Sequence, residues 1–506
     1  MTLPRFVSAV SAVILFTSLN SLPSQAADKE LLDILLENGV ITEAQYDRLI
    51  NKASITTKDI VVTRSTQKSV ADPGGETRVE VPVDDGLQLA IDRAVAKTVS
   101  DKSPIVASYG SKGFKLATRD GKFATNLQWR AQFRYSNPTD SDPRQIDDFG
   151  GYAFSAANPR EIIRVSDESR SNFEQRRLRM KIGGHGFQPW QKYYFEVDLQ
   201  PARDVDDNAA SASARVIDWR VDIAKWDWGG IRLGQWKIDL NRERVDSSGR
   251  QQFVERSIVN RVFTVDRQIG LQLRGRLFEG TATDLNYYAG IFNGEGRGVR
   301  NSSEDHLYMG RLQWNFLGRE LAWKQTDVEY TELPTGSFAI AGFTNTGPCT
   351  RWSSSGCGNL DGFAKAASAA PDQFKIEQGV QEFAFKYRGF SFQQEWHRKF
   401  ITDRVEGTRS DLTGAYVQAG YFFHDWIDAI PAPLEFAARY AYVEEPNAFD
   451  RNVYNEREEF TLGANWFFRG HSNKLTLDLS RLILDDGLLD RSVSENRVRL
   501  QWDVSF

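Results

Sequence analysis

From Gly121 to its last residue the chain alternates apolar and polar positions with a period of two. "NLQWRAQFRY" places Leu127, Trp129, Ala131, Phe133 and Tyr135 on one face of an extended strand, with Gln128, Arg130, Gln132 and Arg134 on the other. "KYYFEVDLQ" sets Tyr193, Phe195, Val197 and Leu199 against Lys192, Tyr194, Glu196 and Asp198. "QIGLQLRGRL" sets Ile269, Leu271, Leu273 and Leu277 against Gln272, Arg274 and Arg276. The final "RVRLQWDVSF" carries the scheme to Phe506. We read sixteen such segments, beginning near residues 123, 174, 190, 214, 230, 268, 283, 306, 321, 379, 389, 412, 433, 458, 473 and 496. Short turns alternate with long loops, the latter near 136–172, 201–213, 238–267, 293–305, 333–377, 401–411, 444–457 and 484–495.

This rhythm predicts an all-β transmembrane barrel of sixteen antiparallel strands, with short turns on the periplasmic rim and long loops outside. Trp129, Trp219, Trp314, Trp396, Trp466 and Trp502 lie on the apolar faces, as an interfacial aromatic girdle requires. A soluble propeller would show a repeated blade motif, and none is present. In lipid every backbone donor and acceptor must be paired within the protein. The last strand is therefore expected to pair with the first, which accounts for alternation up to a terminal aromatic.

The first 104 residues follow other rules. Residues 1–26 combine Arg5, an apolar run from Phe6 to Leu19 and Ser24-Gln25-Ala26, the pattern of a cleaved secretory signal. Residues 27–104 carry Leu31, Ile34 and Leu35 at helical spacing, a stop at Asn38-Gly39, and a second segment with Tyr46, Leu49 and Ile50. This predicts a short periplasmic helical or coiled-coil segment before a barrel over 105–506. The expected location is the outer membrane of a Gram-negative bacterium.

Composition sharpens the picture at three points. Mean hydropathy is −0.47 and no run of 18 apolar residues follows residue 20, which excludes a helical membrane protein but suits a barrel whose alternate residues face water. A net charge of −5 argues against nucleic acid as a partner. Cys349 and Cys357, in "GPCTRWSSSGCG", suit one local disulfide in an oxidising compartment.

Candidate chemistry is cationic, with 44 Arg against 19 Lys. The segment 238–267 is too long and, at Phe253, Val254, Ile258, Val259 and Phe263, too apolar to float in water. It is expected to fold into the lumen. It holds Arg242, Arg244, Arg250, Arg256, Arg261 and Arg267 beside Glu243, Asp246, Glu255 and Asp266, with Ser247 and Ser248 in a turn. Arg remains protonated and presents a fork of donors to phosphate or carboxylate. Parity places Arg130, Arg134, Arg177, Arg179, Lys181, Arg220, Arg232, Arg274, Arg276, Arg311, Arg439, Arg497 and Arg499 on the lumen face. Such a row could pass an anion from site to site. The bland reading is that the loop Arg pair with the loop's own acids. Asp198, Asp218, Asp222, Glu382, Glu395, Glu435 and Asp478 also face inward and dilute the field. The five His form no metal pair, there is no GxSxG, and "NGEGRG" lacks a following helix. No enzyme activity, cofactor or metal is expected.

Several stretches together resemble the phosphate-selective porin O and P family: "LLDILLENGVITEAQYDRLI", "RRLRMKIGG", "QPWQKYYFEVDL", "IRLGQWKIDL", "DSSGRQQFVERS", "YYAGIFNGEG" and the terminal "VRLQWDVSF". The resemblance implies a sixteen-stranded outer-membrane porin, a homotrimer with a periplasmic coiled-coil segment, passing small anions such as phosphate or polyphosphate. It carries to Ser247, Ser248, Arg250 and Arg256, with Asp246 beside them. Ile238-Asp239 stands where Pro-Phe is expected after "QWK", and Gly249-Arg250 where the family has a constriction lysine. These departures bear on phosphate specificity rather than on anion passage. The alternatives are a weakly selective general or organic-anion porin, or a structural outer-membrane protein with a blocked lumen.

Overall fold

The computed structural model describes residue 36 and residues 104–110, 112–137, 152–154, 162–164, 171–200, 214–354 and 356–506. The chain divides into two compact units, Met1–Ser103 and Pro104–Phe506. The expected signal peptide and nearly all of the expected helical segment lie outside the described residues, among which Leu36 is helical.

The second unit is built from strands whose side chains alternate between two faces. β1 (Ile105–Gly110) and β2 (Gly113–Thr118) form a hairpin, followed by β3 (Ala124–Asn137) and the small pair β4 (Tyr152–Phe154) and β5 (Ile162–Arg164). Next come β6 (Asn172–His185), β7 (Gln191–Asp198), β8 (Arg215–Trp226), β9 (Gly229–Lys237), β10 (Arg267–Leu277), β11 (Leu285–Phe292), β12 (Leu307–Trp314) and β13 (Thr335–Gly347). After the loop hairpin β14 (Arg351–Ser353) and β15 (Gly356–Gly358) the wall resumes with β16 (Phe374–Tyr387), β17 (Phe390–Asp403), β18 (Thr408–Tyr421), β19 (Leu434–Pro446), β20 (Tyr454–Phe467), β21 (Asn473–Asp486) and β22 (Arg491–Ser505). Sixteen of these pair antiparallel with their neighbours, and β22 returns to β3 to close the barrel. Closure removes the open edges that lipid would leave unsatisfied.

The seam has a second component. Trp129 and Phe506 exchange backbone hydrogen bonds of 2.7 and 3.1 Å, and β22 stops there. β3 continues to Ala124, and β2 takes over the vacated edge, pairing Phe114 with Leu127 through Ala117 with Ala124. Gly113 begins that contact at φ +81°, where an added Cβ would sit 2.2 Å from the Leu127 carbonyl oxygen. Only glycine suits both the left-handed backbone and the close approach.

Two details depart from strict alternation. The ninth barrel strand is β13, starting at Thr335 and not near 321; the stretch between β12 and β13 is a long connection on the rim of otherwise short turns. Arg242 of the segment 238–267 and Arg311 of β12 lie over its Trp323, Lys386 of β16 donates to the Thr326 carbonyl, and its buried Asp327 accepts from the Gly389 amide in the β16–β17 turn, so its weak alternation reflects packing rather than a strand. Register shifts also occur at Gln132/Phe133, Glu196/Val197 and Ile223/Trp226. The first is a bulge that turns Arg176 and Arg177 toward the same acid, Glu255.

The inside of the barrel is filled unevenly. A hydrophobic cluster joins Ile238, Leu240, Ile258, Val262 and Phe263 to wall residues of β11–β13 and β16–β21, among them Phe292, Met309, Ile376, Val380, Ile401, Tyr416 and Leu482. Cys349 and Cys357 are disulfide-bonded (Cα–Cα 5.6 Å) and hold the β14–β15 hairpin, whose Trp352 joins the same cluster.

Candidate functional site

The segment between β9 and β10 lies against the inner wall. It carries two short helices, α1 (Arg242–Val245) and α2 (Ile258–Phe263). In α2, Ile258, Val259, Val262 and Phe263 share one buried face, the spacing expected of a helix turned toward a core.

Its main chain is held by wall carboxylates. The Arg242 amide donates to Glu382 (3.0 Å), Glu243 to Glu395 (2.6 Å), Val254 to Asp478 (3.0 Å) and Ile258 to Glu459 (2.9 Å). The Asn241 and Gln252 side chains donate to Glu395 (2.9 Å) and Glu435 (2.7 Å). Hydrogen bonds to ionised acceptors are the strong ones. The inward acids on β16–β21 therefore have an occupation that spacing could not reveal: they fasten the loop.

Most of the candidate cations are also engaged. Arg242 donates to the carbonyls of Ala322 (3.1 Å) and Leu321 (3.3 Å) and stacks over Trp323 at 4.7 Å. Arg244 pairs with Asp266, and Arg267 with Asp218 and Asp266. Arg256 donates to the carbonyls of Glu243 (2.7 Å), Arg244 (3.4 Å) and Asp246 (2.6 Å), and Lys237 donates to those of Arg244, Val245 and Asp246 at 3.0–3.3 Å. Together they cap the end of α1, where carbonyls have no helical partner. Arg261 is half-buried in α2.

On the wall, Arg134 reaches Gln501, Glu174 (3.3 Å) and Glu255 (2.8 Å), and Arg177 reaches Gln132 (2.8 Å) and Glu255 (3.5 Å). Arg179 pairs with Glu196 (2.9 Å) and Asp198 (3.4 Å). Arg220, Arg232 and Arg274 share Asp222 and Asp239, and their guanidinium groups lie over Tyr194, Trp236 and Tyr288 at 4.6, 5.6 and 5.1 Å. Arg276 binds Asp284 (2.6 Å) at the short-turn rim. Arg311 pairs with Glu382, Arg439 with Glu459 and Arg499 with Asp478, so these three complete the acids that hold the loop. Arg497 is buried beside them.

Two cations stand apart. Arg250 is exposed, and among the described residues its side chain has no ion pair or hydrogen bond. Lys181 on β6 is half-buried, is likewise without a carboxylate at ion-pair distance among the described residues, lies across the strand pair from Glu196, whose charge acts on it, and is within electrostatic reach of Arg130, Arg179 and Arg250. Arg130, 3% exposed, donates to the hydroxyls of Ser247 (3.3 Å) and Ser248 (3.2 Å) and has a long contact to Asp503 (3.4 Å). Gly249 packs on its guanidinium; an added Cβ would stand 2.7 Å from Cζ. The 246–250 turn is thus seated on a wall arginine and leaves Arg250 projecting. Sequence reasoning singled out Arg250, Ser247, Ser248 and Arg130. It did not separate them from their paired neighbours, because pairing depends on loop register.

The loop acids differ in charge state. Burial pushes the Asp246 carboxyl up to about 6, against the pull of Arg242, Lys386, Lys237 and Arg256. Burial, with Glu395 adding repulsion, pushes Glu243 up to about 7. Burial acts the same way on Asp266, but Arg244 and Arg267 outweigh it and hold that carboxyl at about 2.

The family model for phosphate-selective porin O and P matches residues 164–481. The chain belongs to this family. It is an outer-membrane porin, and the family is one of channels. Among solved structures the porin is similar to an anion-selective porin from Comamonas acidovorans (11% identity, 76% of this chain and 100% of that one, TM-score 0.45). It is similar also to the outer-membrane channel DcaP of Acinetobacter baumannii (10% identity, 77% and 99%, TM-score 0.46) and to OmpF of Salmonella typhi (11%, 76% and 98%, 0.48). No curated protein matches.

Proposed function

We propose that this porin passes small anions through the part of the lumen that the inward loop leaves beside β3 and β6–β10. The positive turn at 246–250 would be its filter. Arg250 and Lys181 would attract the ion, Arg130 would hold the turn in place, and Ser247 and Ser248 would offer hydroxyls. The observation that carries this reading is the contrast within the loop: its other arginines are engaged or half-buried, whereas Arg250 is exposed and its side chain unpaired among the described residues. A bare cation in a confined channel stabilises an anion and repels a cation, while a paired one does little of either. The paired Arg row on β8–β10 would then offer weak successive sites. Homotrimer formation and passage of phosphate or polyphosphate, which family membership suggests, form part of the proposal.

The test is the reversal potential of the purified porin in a planar bilayer across a KCl gradient, with phosphate then titrated in. A potential on the chloride side is expected. Arg250→Gln and Lys181→Gln should each lower the chloride preference by roughly fivefold, about 1 kcal/mol for one unit charge near the ion. A potential near zero or on the cation side in the unmodified porin would overturn the reading. Phosphate that fails to reduce chloride current would remove phosphate from it and leave anion passage standing.

A further inference from the structure

The lipid-facing wall carries a feature that transport does not use. Between β18 and β22 the outer surface is hollowed into a depression of about 640 Å³. Ala419 and Ala438 face each other across β18 and β19 and form its shallow floor. Tyr440 and Phe460 rise on one side, Leu462 and Leu479 on the other. These larger side chains are exposed or half-buried, with Leu462 at 64%, so nothing in the barrel fills the hollow.

One end of the depression is polar. Arg481 projects from the outer half of β21, next to Phe460 and opposite Asn496. It belongs to the outward set Leu477, Leu479, Arg481 and Ile483, so its guanidinium emerges among apolar neighbours. Its partner is the Ser494 hydroxyl at 3.1 Å. By contrast, Arg398 on the same wall is neutralised by Asp411. The nearby Glu458 accepts from the Tyr440 hydroxyl at 2.6 Å. Among the described residues no carboxylate lies at ion-pair distance from Arg481. An arginine on the lipid face of a barrel is disfavoured, and more so with depth, unless something anionic meets it there.

We infer that this depression binds one phosphorylated lipid of the outer leaflet. An acyl chain would lie over Ala419 and Ala438, and a headgroup phosphate would be met by Arg481 and Asn496. The volume falls within the range of small-ligand clefts. Arginine's planar fork suits phosphate, and its charge supplies the complementarity that an apolar hollow alone would lack. The inference is independent of ion selectivity, since these side chains face away from the lumen.

Native mass spectrometry of the full porin in detergent, titrated with purified bisphosphorylated lipid A and with its phosphate-free form, tests it. A discrete adduct is expected with the first and not with the second. Arg481→Gln should weaken that adduct roughly tenfold. Ala438→Trp, which fills the floor, should abolish it. Heat-modifiable migration and unchanged bilayer conductance would show that both variants are folded. Equal adducts on all three proteins, or on both lipids, would overturn the site. A loss of oligomeric mass in Ala438→Trp without any lipid adduct would also overturn it, by giving the hollow to a second copy of the chain.

Discussion

At the scale of single residues, chemical identity predicts less than partnership. Arg250 and Arg256 lie six positions apart in one loop and carry the same charge. Arg256 is consumed by three carbonyls at the end of α1, whereas the Arg250 side chain is exposed and, among the described residues, has no ion pair or hydrogen bond. Their substitutions should therefore part company. Arg256→Ala should lower the thermal stability of the porin, because buried carbonyls would lose their donors at a cost of about 1–3 kcal/mol. Its effect on reversal potential should be the smaller one. Arg250→Ala should do the reverse, leaving the melting temperature unchanged and moving the potential. Measuring both quantities on both variants checks this; a matching pair of phenotypes would contradict it. The inward direction of wall residues such as Arg130 was legible from parity alone. The pairing of each was not, since Glu255 meets Arg134, Arg176 and Arg177 through a bulge that no alternation pattern announces.

At the scale of elements, the charge states of its acids predict that docking of the inward loop varies with pH. The folded pKa of Glu243 is raised to about 7 from an ordinary 4.5, and that of Asp246 to about 6 from 3.8. Raised carboxyls bind protons in the docked state that the undocked state releases. Their contribution is thus fully present below the ordinary values and is lost as pH rises through about 6 and then 7. Asp266 works in the opposite sense: held at about 2 against 3.8, it stabilises docking above its ordinary value and ceases to as pH falls through 2. Hydrogen exchange in α1 and α2, corrected for the intrinsic rate, should show stronger protection at pH 5 than at pH 8, with protection lost below about pH 3. Glu243→Gln should remove the upper part of that window. Protection that rises steadily from pH 5 to pH 8 would refute the assignment. That this segment would turn inward was readable from its apolar positions. The displacement of β13 was not, because the connection before it alternates weakly for reasons of packing around Trp323.

At the scale of the whole molecule, the inward acids divide by what they hold. Those on β16–β21 accept amides of the loop, whereas Glu196, Asp198, Asp218 and Asp222 on β7 and β8 pair with Arg179, Arg220, Arg232 and Arg267 of the wall, and Arg130, Arg134 and Arg177 meet the loop from β3 and β6. A census of inward charges cannot find this division, because each acid is counted against the cations whether or not it is already committed to the loop. Glu382 is the member on which two functions converge: it accepts the Arg242 amide and pairs with Arg311, itself bonded to the Leu240 carbonyl at 2.9 Å. Glu382→Ala would orphan a buried guanidinium, at a cost of about 3–5 kcal/mol when one partner of a buried pair is removed. It would also remove one of the wall contacts at the start of α1, where Glu395 still holds Asn241 and the Glu243 amide. Docking would then rest on Glu395, Asp478 and Glu459 together with the hydrophobic cluster. We expect single-channel conductance to rise and chloride preference to fall together, because a loosened loop widens the passage and shifts Arg250 within it. Glu382→Gln keeps an acceptor for the amide but not the charge for Arg311, and should lie between the two. If Glu382→Ala folds and shows unchanged conductance and selectivity, the acid wall is not what positions the filter.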